Sequence, residues 1–396
     1  MIWPLTMPFR NRGKPKSAAV APARKSHSTG LIAAFGGLSG AQWSGRSYGT
    51  LAREGYMRNP VAHRAVRMIS EAAASVPWVL FDDGRELDDH PLLSLLARPN
   101  PQRSGTELME ALYGHLLLSG NAFLEAVPSS DGTALQALHL LRPDRVRVIA
   151  GDDGWPVAHD YQAGSARRRT PVDPAAGRGL LHLRLFHPLD DHHGFAPLEA
   201  AQMALDLHNA AGTWNKALLD NSARPSGALV YQPKDGGNLT EDQYARLKAE
   251  LEEGYQGAHR AGRPMLLEGG LDWKAMGLTP RDMDFIAARE GAARDIALAF
   301  GVPPMLIGIP GDLTYANYQE ANRAFCRLTV LPLIARTAAA LTGWIKPVYG
   351  ETLKLDFDAD RLPGLAGERE ALWARIGAAD FLSDAEKREA VGYGEL

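Results

Sequence analysis

Residues 299–325 read AFGVPPMLIGIPGDLTYANYQEANRAF, and their first part places three prolines and three glycines within eleven residues. Helix-like sequence stands on both sides, so these residues separate two helices. Gly301 predicts the end of the first helix, and Asn317, with an acid three residues later, predicts the cap of the second. Asp312 is the only charged residue between positions 296 and 319. The sequence therefore predicts a mobile, nearly uncharged loop held between two rigid helices.

Long helices surround this loop in the sequence. The preceding residues predict a helix over 279–301 with Thr279 as its cap, and the following residues predict a helix over 317–345 that Pro332 bends. A further helix, opened by a proline, is predicted over 196–222. At about 1.5 Å per residue, each of these helices is long for a compact domain.

The segment 223–278 lies between two of these helices and predicts a small α/β unit. It reads as a strand, a charged helix capped by Thr240, and a strand pair formed by 263–270 and 271–278. The charged helix presents the wide polar surface expected at the rim of an interface. Its charged residues are Glu241, Asp242, Arg246, Lys248, Glu250, Glu252 and Glu253.

The residues before these helices predict an α+β domain over 53–195. Asn59 caps a helix with apolar residues at helical spacing, and Ser104 with Glu107 forms a capping box for a second helix. Short alternating runs then predict antiparallel strands with one face in water. After the long helices, the sequence predicts a strand in ETLKLDFD and helices over 366–377 and 383–391.

Charge is uneven along the 396 residues, whose net charge is −3. Residues 1–53 contain eight Arg or Lys and no acid. Residues 1–52 are rich in Ala, Pro, Gly and Ser without periodicity, which predicts a disordered basic arm. Such an arm either has no partner or binds nucleic acid or an acidic protein, and the first interpretation is the simpler one.

Composition also indicates a compartment. Cys326 is the sole cysteine, which excludes an internal disulfide and suits a reducing environment. No uncharged apolar run reaches the roughly 18 residues of a membrane-spanning helix, and the N-terminus does not resemble a secretory signal. We expect synthesis in the cytoplasm and no membrane partner.

Motifs for chemistry are few. The sequence has no P-loop, no dinucleotide-binding glycine motif, no HExxH helix and no zinc-type cysteine spacing. GRSYG at 45–49 matches the nucleophile elbow around Ser47, but it lies in the glycine-rich arm with no preceding strand. HPLDDHHG groups His187, His192 and His193 with two aspartates, a pattern that either binds a metal or forms a solvated turn. We expect no catalytic residue, no cofactor and no metal.

The order and spacing of several stretches resemble the portal proteins of tailed bacteriophages and of phage-like particles such as gene transfer agents. The resemblance covers roughly 55–390. It is carried by NPVAHRAVRMISEAAASVPWVLF, LLLSGNAFLEAV, LRPDRVRV, HHGFAPLEAAQMAL, AEKREAVGYGE and, most specifically, IALAFGVPPMLIG with TYANYQEANRAF. Ala196 stands where the family has serine, which removes one capping contact.

The resemblance implies a portal-type α+β fold. Its parts would be a basic arm (1–52), an α+β wing (53–195), a first stem helix (196–222), a clip (223–278), a second stem helix (279–301), a tunnel loop (302–316), a long kinked wing helix with a C-terminal strand and helix (317–379) and a short helical crown (380–396). The loop residues implied to face DNA are Met305, Leu306, Ile307, Gly308, Ile309, Pro310, Gly311, Asp312, Leu313, Thr314 and Tyr315.

The resemblance also implies partners and a location. Portals are rings of about twelve copies at one capsid vertex, and double-stranded DNA passes through their channel without sequence preference. The clip would contact the packaging ATPase (the terminase large subunit) and then the head–tail adaptor, and the ring would touch the major capsid protein. The protein would reside in the virion or particle, after assembly in the host cytoplasm.

Two other hypotheses stay open at this point. One is a different ring-forming head–tail connector component, although adaptors are usually much shorter chains. The other is an enzyme: a hydrolase that uses Ser47, or a metal enzyme that uses His192 and His193.

Overall fold

The structure is a computed structural model. It describes residues 47–130, 134–172, 179–220, 227–231, 240–246, 249, 271–275, 285–311 and 314–392. Most of these belong to a main unit formed by 38–223 and 278–396, and the others to a second unit that contains 224–277, here called the insert.

The described strands form antiparallel sheets. The strands are β1 (Trp78–Asp82), β2 (Arg85–Leu87), β3 (Asn121–Pro128), β4 (Leu135–Leu141), β5 (Val146–Ala150), β6 (Pro156–Ala163), β7 (Ala166–Pro171), β8 (Gly179–Arg184), β9 (Gly227–Tyr231), β10 (Leu271–Ala275) and β11 (Leu353–Phe357). Their orders are β11-β1-β2, β4-β3-β8 and β5-β6-β7 in the main unit, and β10-β9 in the insert.

The described helices account for most of the rest of the main unit. They are α1 (Tyr48–Thr50, continued by a π-helix over Leu51–Met57), α2 (Pro60–Ala74), α3 (Pro91–Ala97), α4 (Gly105–Ser119), α5 (Pro197–Ala200), α6 (Gln202–Asp220), α7 (241–246), α8 (Phe285–Ala299), α9 (Tyr315–Phe325, continued by a π-helix over Cys326–Val330), α10 (Leu331–Tyr349), α11 (Ala366–Gly377) and α12 (Asp384–Ala390).

The core of the main unit forms where α2 and α4 pack together beside β3. The predicted caps of both helices are confirmed. Asn59 Oδ1 accepts hydrogen bonds from the amides of Val61 and Ala62 at 3.0 and 3.1 Å. Ser104 and Glu107 form the reciprocal capping box, and together these bonds satisfy amides that would otherwise lack partners.

The antiparallel pairing of the strands is confirmed, but not every strand has one face exposed to water. Residues Asn121–Leu124 of β3 are all buried, because α4 packs beside this strand and the β5-β6-β7 sheet contributes Val146 to a small apolar cluster around Phe123. The elements that were not predicted include the short helix α3, the strand β7 and the strand β2, which pairs with β1 through a turn at Asp83 and Gly84.

Three predicted boundaries are corrected. Helix α1 begins at Tyr48, so the last part of the predicted disordered arm 1–52 is helical. Residues 1–46 lie outside the described residues. Helix α9 begins at Tyr315 with Thr314 as its cap, not at Asn317, whose amide donates to Thr314 Oγ1 at 3.2 Å. Helix α10 runs beyond 345 to Tyr349.

Close to Pro332, where the sequence predicts a bend, the structure has a π-helix over Cys326–Val330. The wider turn accommodates a proline that cannot donate to the residue four positions earlier. The whole helical segment Ala316–Tyr349 is long and apolar enough to cross a membrane by length and composition. Its apolar stripe is instead used in the core, where Ile334, Leu341 and Ile345 are buried. It is therefore a core helix of the main unit.

The insert shows the predicted mixture of strand and helix. β10 pairs with β9 in antiparallel register, with Trp273 opposite Leu229. The predicted pairing of 271–278 with 263–270 cannot be assessed, because 263–270 lie outside the described residues. Thr240 caps α7 as predicted: its Oγ1 accepts from the Gln243 amide at 3.3 Å, and its own amide donates to Gln243 Oε1 at 3.0 Å.

Candidate functional site

Helix α8 ends where the sequence predicts. Gly301 adopts a left-handed conformation (φ +66°), and the Val302 amide donates to Ala297 O at 2.9 Å, which satisfies a carbonyl at the helix end. Thr329 Oγ1 donates to Gly301 O at 2.6 Å and so ties this end to α9 and its π-helical continuation.

The first half of the loop that follows is packed, which corrects the expectation of a wholly mobile loop. A 3-10 turn covers Pro304–Ile307, and Gly308 reverses the chain in a left-handed conformation. The side chains of Leu306 and Ile309 are buried, the latter against Ala293 and Ala297 of α8. Met305 and Ile307 pack partly against the core.

The described residues in the second half of the loop are exposed. Pro310, Gly311 and Thr314 face solvent, while Asp312 and Leu313 lie outside the described residues. Arg294 Nη2 donates to Pro310 O at 3.1 Å, which fixes the start of this half. The first turns of α9 continue the exposed region, since the side chains of 316–320 are all exposed. Among the described residues of this half, Pro310, Gly311 and Thr314 can therefore touch another molecule, together with the start of α9.

A buried polar cluster joins α6 and α8 to the start of α2. Asn59 Nδ2 lies 3.1 Å from His208 Nδ1 and donates to Asn209 Oδ1 at 3.0 Å. Arg289 Nε lies 3.4 Å from His208 Nε2. Burial, with the charge of Arg289, lowers the pKa of His208. These bonds fix the direction in which α6 and α8 leave the core, and neither periodicity nor motifs predicted them.

Helix α6 is apolar on two faces. Ala204, Leu205 and Ala211 are buried in the main unit. The other face carries Met203, Leu207, Ala210 and Trp214, here called the α6 stripe, at spacings of four, three and four residues. Met203 is 71% exposed and Leu207 45% exposed. Because an apolar stripe at this spacing is what packed helices share, the α6 stripe indicates a surface for a further helix.

The histidine-rich turn is a structured loop. Asp190 Oδ1 accepts from the amides of His192 and His193 at 2.7 and 2.9 Å, and His193 Nδ1 lies 3.1 Å from Asp190 Oδ2. His187 Nδ1 accepts from the Leu189 amide at 3.0 Å. Among the described residues, no three His, Cys, Asp or Glu side chains are arranged to hold a metal ion. The carboxylate is used to shape the turn.

Gly120 and Gly194 bring the two ends of this loop close together. The Leu185 amide donates to Gly120 O at 2.8 Å, and the Gly194 amide donates to Asn121 Oδ1 at 2.8 Å. A Cβ on Gly194 would lie 2.0 Å from Gly120 O. The loop that leads from β8 into α5 therefore depends on a close backbone approach that glycine alone allows.

We expect Gly194→Ala to lower the free energy of unfolding by about 3 kcal/mol, because backbone must move to admit the methyl group. Gly291→Ala is the matched control: it lies inside α8 with no atom within 4 Å of the added Cβ, so it should be neutral or slightly stabilising. Urea unfolding of both variants measures this difference. Equal stability of the two variants would refute the role of the close approach between Gly194 and Gly120.

Two further sequence candidates have definite positions. Ser47 is the N-terminal cap of α1, and its Oγ accepts from the Thr50 amide at 3.3 Å. It therefore serves a structural purpose there. In the insert, Glu241, Asp242 and Arg246 of α7 are exposed, whereas Lys248, Glu250, Glu252 and Glu253 lie outside the described residues.

Comparisons with known proteins agree with one another. The family model described as "Phage portal protein" matches residues 60–392. A chain from the neck of an empty gene transfer agent (GTA) particle, computed with C6 symmetry, is 53% identical and superposes with a TM-score of 0.71, covering 91% of this chain and 98% of that one.

Two other relatives extend this similarity. A chain from the neck of a native GTA particle, computed with C12 symmetry, is 52% identical with a TM-score of 0.68, covering 90% of this chain and 97% of that one. The probable portal protein of Streptomyces phage phiC31 is 26% identical over 324 residues, which are 78% of this chain and 69% of that one.

Proposed function

This chain belongs to the phage portal protein family, and from that premise we propose that about twelve copies form a closed ring that conducts double-stranded DNA into and out of a phage-like particle. The observation that carries the proposal is the 52% identity to a chain in a particle neck computed with C12 symmetry. Electron microscopy of the purified protein tests it: closed rings are expected, and a stable monomer would contradict it.

The α6 stripe supports the ring. Monomeric proteins rarely expose continuous apolar surface, yet Met203 and Leu207 are exposed on the face opposite the core. A neighbouring copy placed by rotation would cover this stripe with a different surface of its own, as heterologous ring contacts require. Helix α8 also exposes Ile286 and Leu298, at 72% and 78%, which supplies apolar surface of that kind.

Residues 310–314 and the start of α9 form the proposed DNA contact, and Pro310, Gly311 and Thr314 are its exposed described residues in the loop. Each firm contact of Lys or Arg with a phosphate adds salt-dependent affinity, which would hold DNA that must move. Asp312 is the sole charge between positions 296 and 319, and it is negative. A segment without cations can touch passing DNA without binding it tightly.

We also propose a structural, non-enzymatic role in which a separate packaging ATPase supplies the energy. The insert would contact that ATPase during packaging and the head–tail adaptor afterwards, through the exposed charges of α7. The main unit would contact the major capsid protein at the vertex. Assembly would take place in the host cytoplasm and the finished ring would stay in the particle.

Replacing 310–313 by a Gly/Ser sequence of equal length should leave the ring intact and reduce the DNA that each particle retains. The exchange spares Ile309, whose buried side chain stabilises the loop. Ile309→Ala is the comparison: it should lower the free energy of unfolding by about 2 kcal/mol or more. Packaged DNA is measured by nuclease-protected yield, and a normal yield from the Gly/Ser variant would refute the role of these residues.

A further inference from the structure

The sheet β5-β6-β7 has a strongly basic outer face. Across the strands, Arg147 lies opposite Asp160, and Asp160 lies opposite Arg169. Arg167 lies two residues from Arg169 on β7, so its side chain is on the same face. We call Arg147, Arg167 and Arg169 the arginine face.

One buried carboxylate fixes two of these guanidinium groups. Asp160 is 4% exposed, and it receives hydrogen bonds from Arg169 Nε at 2.6 Å and Arg169 Nη2 at 2.9 Å, and a further bond from Arg167. These bonds hold the pKa of Asp160 well below its usual range. The side chains of Arg167 and Arg169 are themselves 64% and 60% exposed, so their outer N–H groups stay open to a ligand.

The opposite face of the sheet packs against other residues of the main unit. Arg168 lies on that face, where its side chain, which is 52% exposed, pairs with Glu125 and lies over the Tyr161 ring. His159 packs beside Phe123 on that side. The arginine face is therefore the outer surface of the sheet, and β7 is its edge strand.

The arginine face carries an excess of positive charge. The face carries three guanidinium groups and one carboxylate, and Arg147 has no ion-pair or hydrogen-bond partner among the described residues. The turn after β5 carries Asp152 and Asp153, but Arg147 and Arg167 lie toward the other end of the sheet. In a chain whose net charge is −3, this face is a local exception.

We infer that the arginine face binds the phosphates of a nucleic acid backbone. Guanidinium groups held in fixed positions match phosphate oxygens better than a mobile ammonium does. The inference rests on the proposed ring, because a ring repeats the face about twelve times and a continuous polyanion can contact several copies at once. The face lies on a different element from residues 310–314, so binding here would hold DNA beside the ring while the channel segment lets it slide.

Binding of a fluorescent DNA duplex of about 30 base pairs to the assembled protein tests the inference. The variant Arg147→Gln, Arg167→Gln, Arg169→Gln with Asp160→Asn removes the face without leaving the buried carboxylate unpaired. With about two net phosphate contacts per chain, the wild-type affinity should fall about tenfold between roughly 50 and 200 mM salt for each chain engaged. The quadruple variant should lose that dependence, and Arg147→Gln alone should lose about half of its slope.

The matched control is Arg85→Gln, which removes an exposed arginine from a strand of another sheet and should bind as the wild type does. Equal binding by the quadruple variant and the wild type overturns the inference. Competition by polyglutamate as strong as by unlabelled duplex also overturns it, because it would assign the face to an acidic protein. Light scattering on the same samples measures the mass of the assembly and so tests the ring independently. A quadruple variant that forms rings and still binds DNA would contradict this inference but not the proposed ring.

Discussion

Leu207→Asp should leave the chain folded and abolish the ring. Leu207 lies on the α6 stripe, 45% exposed, so the substitution removes no contact from the core of the main unit. In a ring, it would place an unpaired carboxylate in an apolar contact at every interface, at a cost of several kcal/mol each. Because a ring closes only if all its interfaces form, the penalty is repeated about twelve times.

Light scattering gives the result directly. The wild type should show roughly twelve times the chain mass of 42.9 kDa, and the variant a mass near one chain. Trp155→Asp is the control, since Trp155 is 70% exposed in the turn between β5 and β6 and lies outside the α6 stripe. Thermal unfolding should show that both variants stay folded. Full-size rings of Leu207→Asp would remove the α6 stripe from the interface.

The sequence predicts most of the helix ends, because caps are decided by neighbours in the chain. Asn59, the Ser104 box and Gly301 each satisfy local backbone groups, and all are confirmed. The error at the start of α9 is instructive: Thr314 and Asn317 are both good caps three residues apart. Ile309 packs into the core, so the chain turns early and the first of the two is used.

The predicted α+β portal-type fold is confirmed by the structural match to the GTA neck chains. What the sequence could not provide are contacts between distant residues. β1 pairs with β11 across most of the chain, and Asn59 meets His208 through a pairing that no periodicity indicates. The second apolar face of α6 is visible in the sequence, but only the packed structure tells which face is already covered.

The candidate site shows the same limit. The sequence predicts a loop of low charge, and this prediction depends only on which residues are present, not on how they are packed. It does not tell that Leu306 and Ile309 are buried, since an apolar loop residue can face either a core or a partner. The run Arg167–Arg169 is equally plain in the sequence, yet alternation along β7 places Arg168 on the face of Glu125 and its two neighbours on the other face.

Partly buried histidines should make the main unit sensitive to acid. His182 stacks on Phe123 with ring centroids 4.2 Å apart, and its Nε2 lies 2.9 Å from Asn121 Oδ1. Burial lowers the pKa of His182 to about 3, and the nearby charged or titratable groups add to this effect. These groups are His159, Arg184, His193 and His192. Burial likewise lowers the pKa of His115 to about 4, where Tyr48 Oη lies 3.1 Å from its Nδ1.

A histidine held neutral in the folded chain gains a proton on unfolding below its ordinary pKa of about 6.5. Stability is therefore fully present above about pH 6.5 and is lost as the pH falls toward the folded-state values. From about pH 7.5 to pH 5, each of His182 and His115 should cost about 2 kcal/mol, or about 4 kcal/mol together. Urea unfolding in the Leu207→Asp background measures this without ring dissociation.

His182→Gln should remove about 2 kcal/mol of the loss between these two pH values, because Gln does not titrate and can still donate to Asn121. His139→Gln is the matched control, since it makes the same replacement at an exposed histidine of β4. If His182→Gln lost as much stability at pH 5 as the control, burial of this imidazole would not be the source of the acid sensitivity. A smaller loss would place that source at the contact between β8 and β3, from which the chain continues into the loop that leads to α5 and α6.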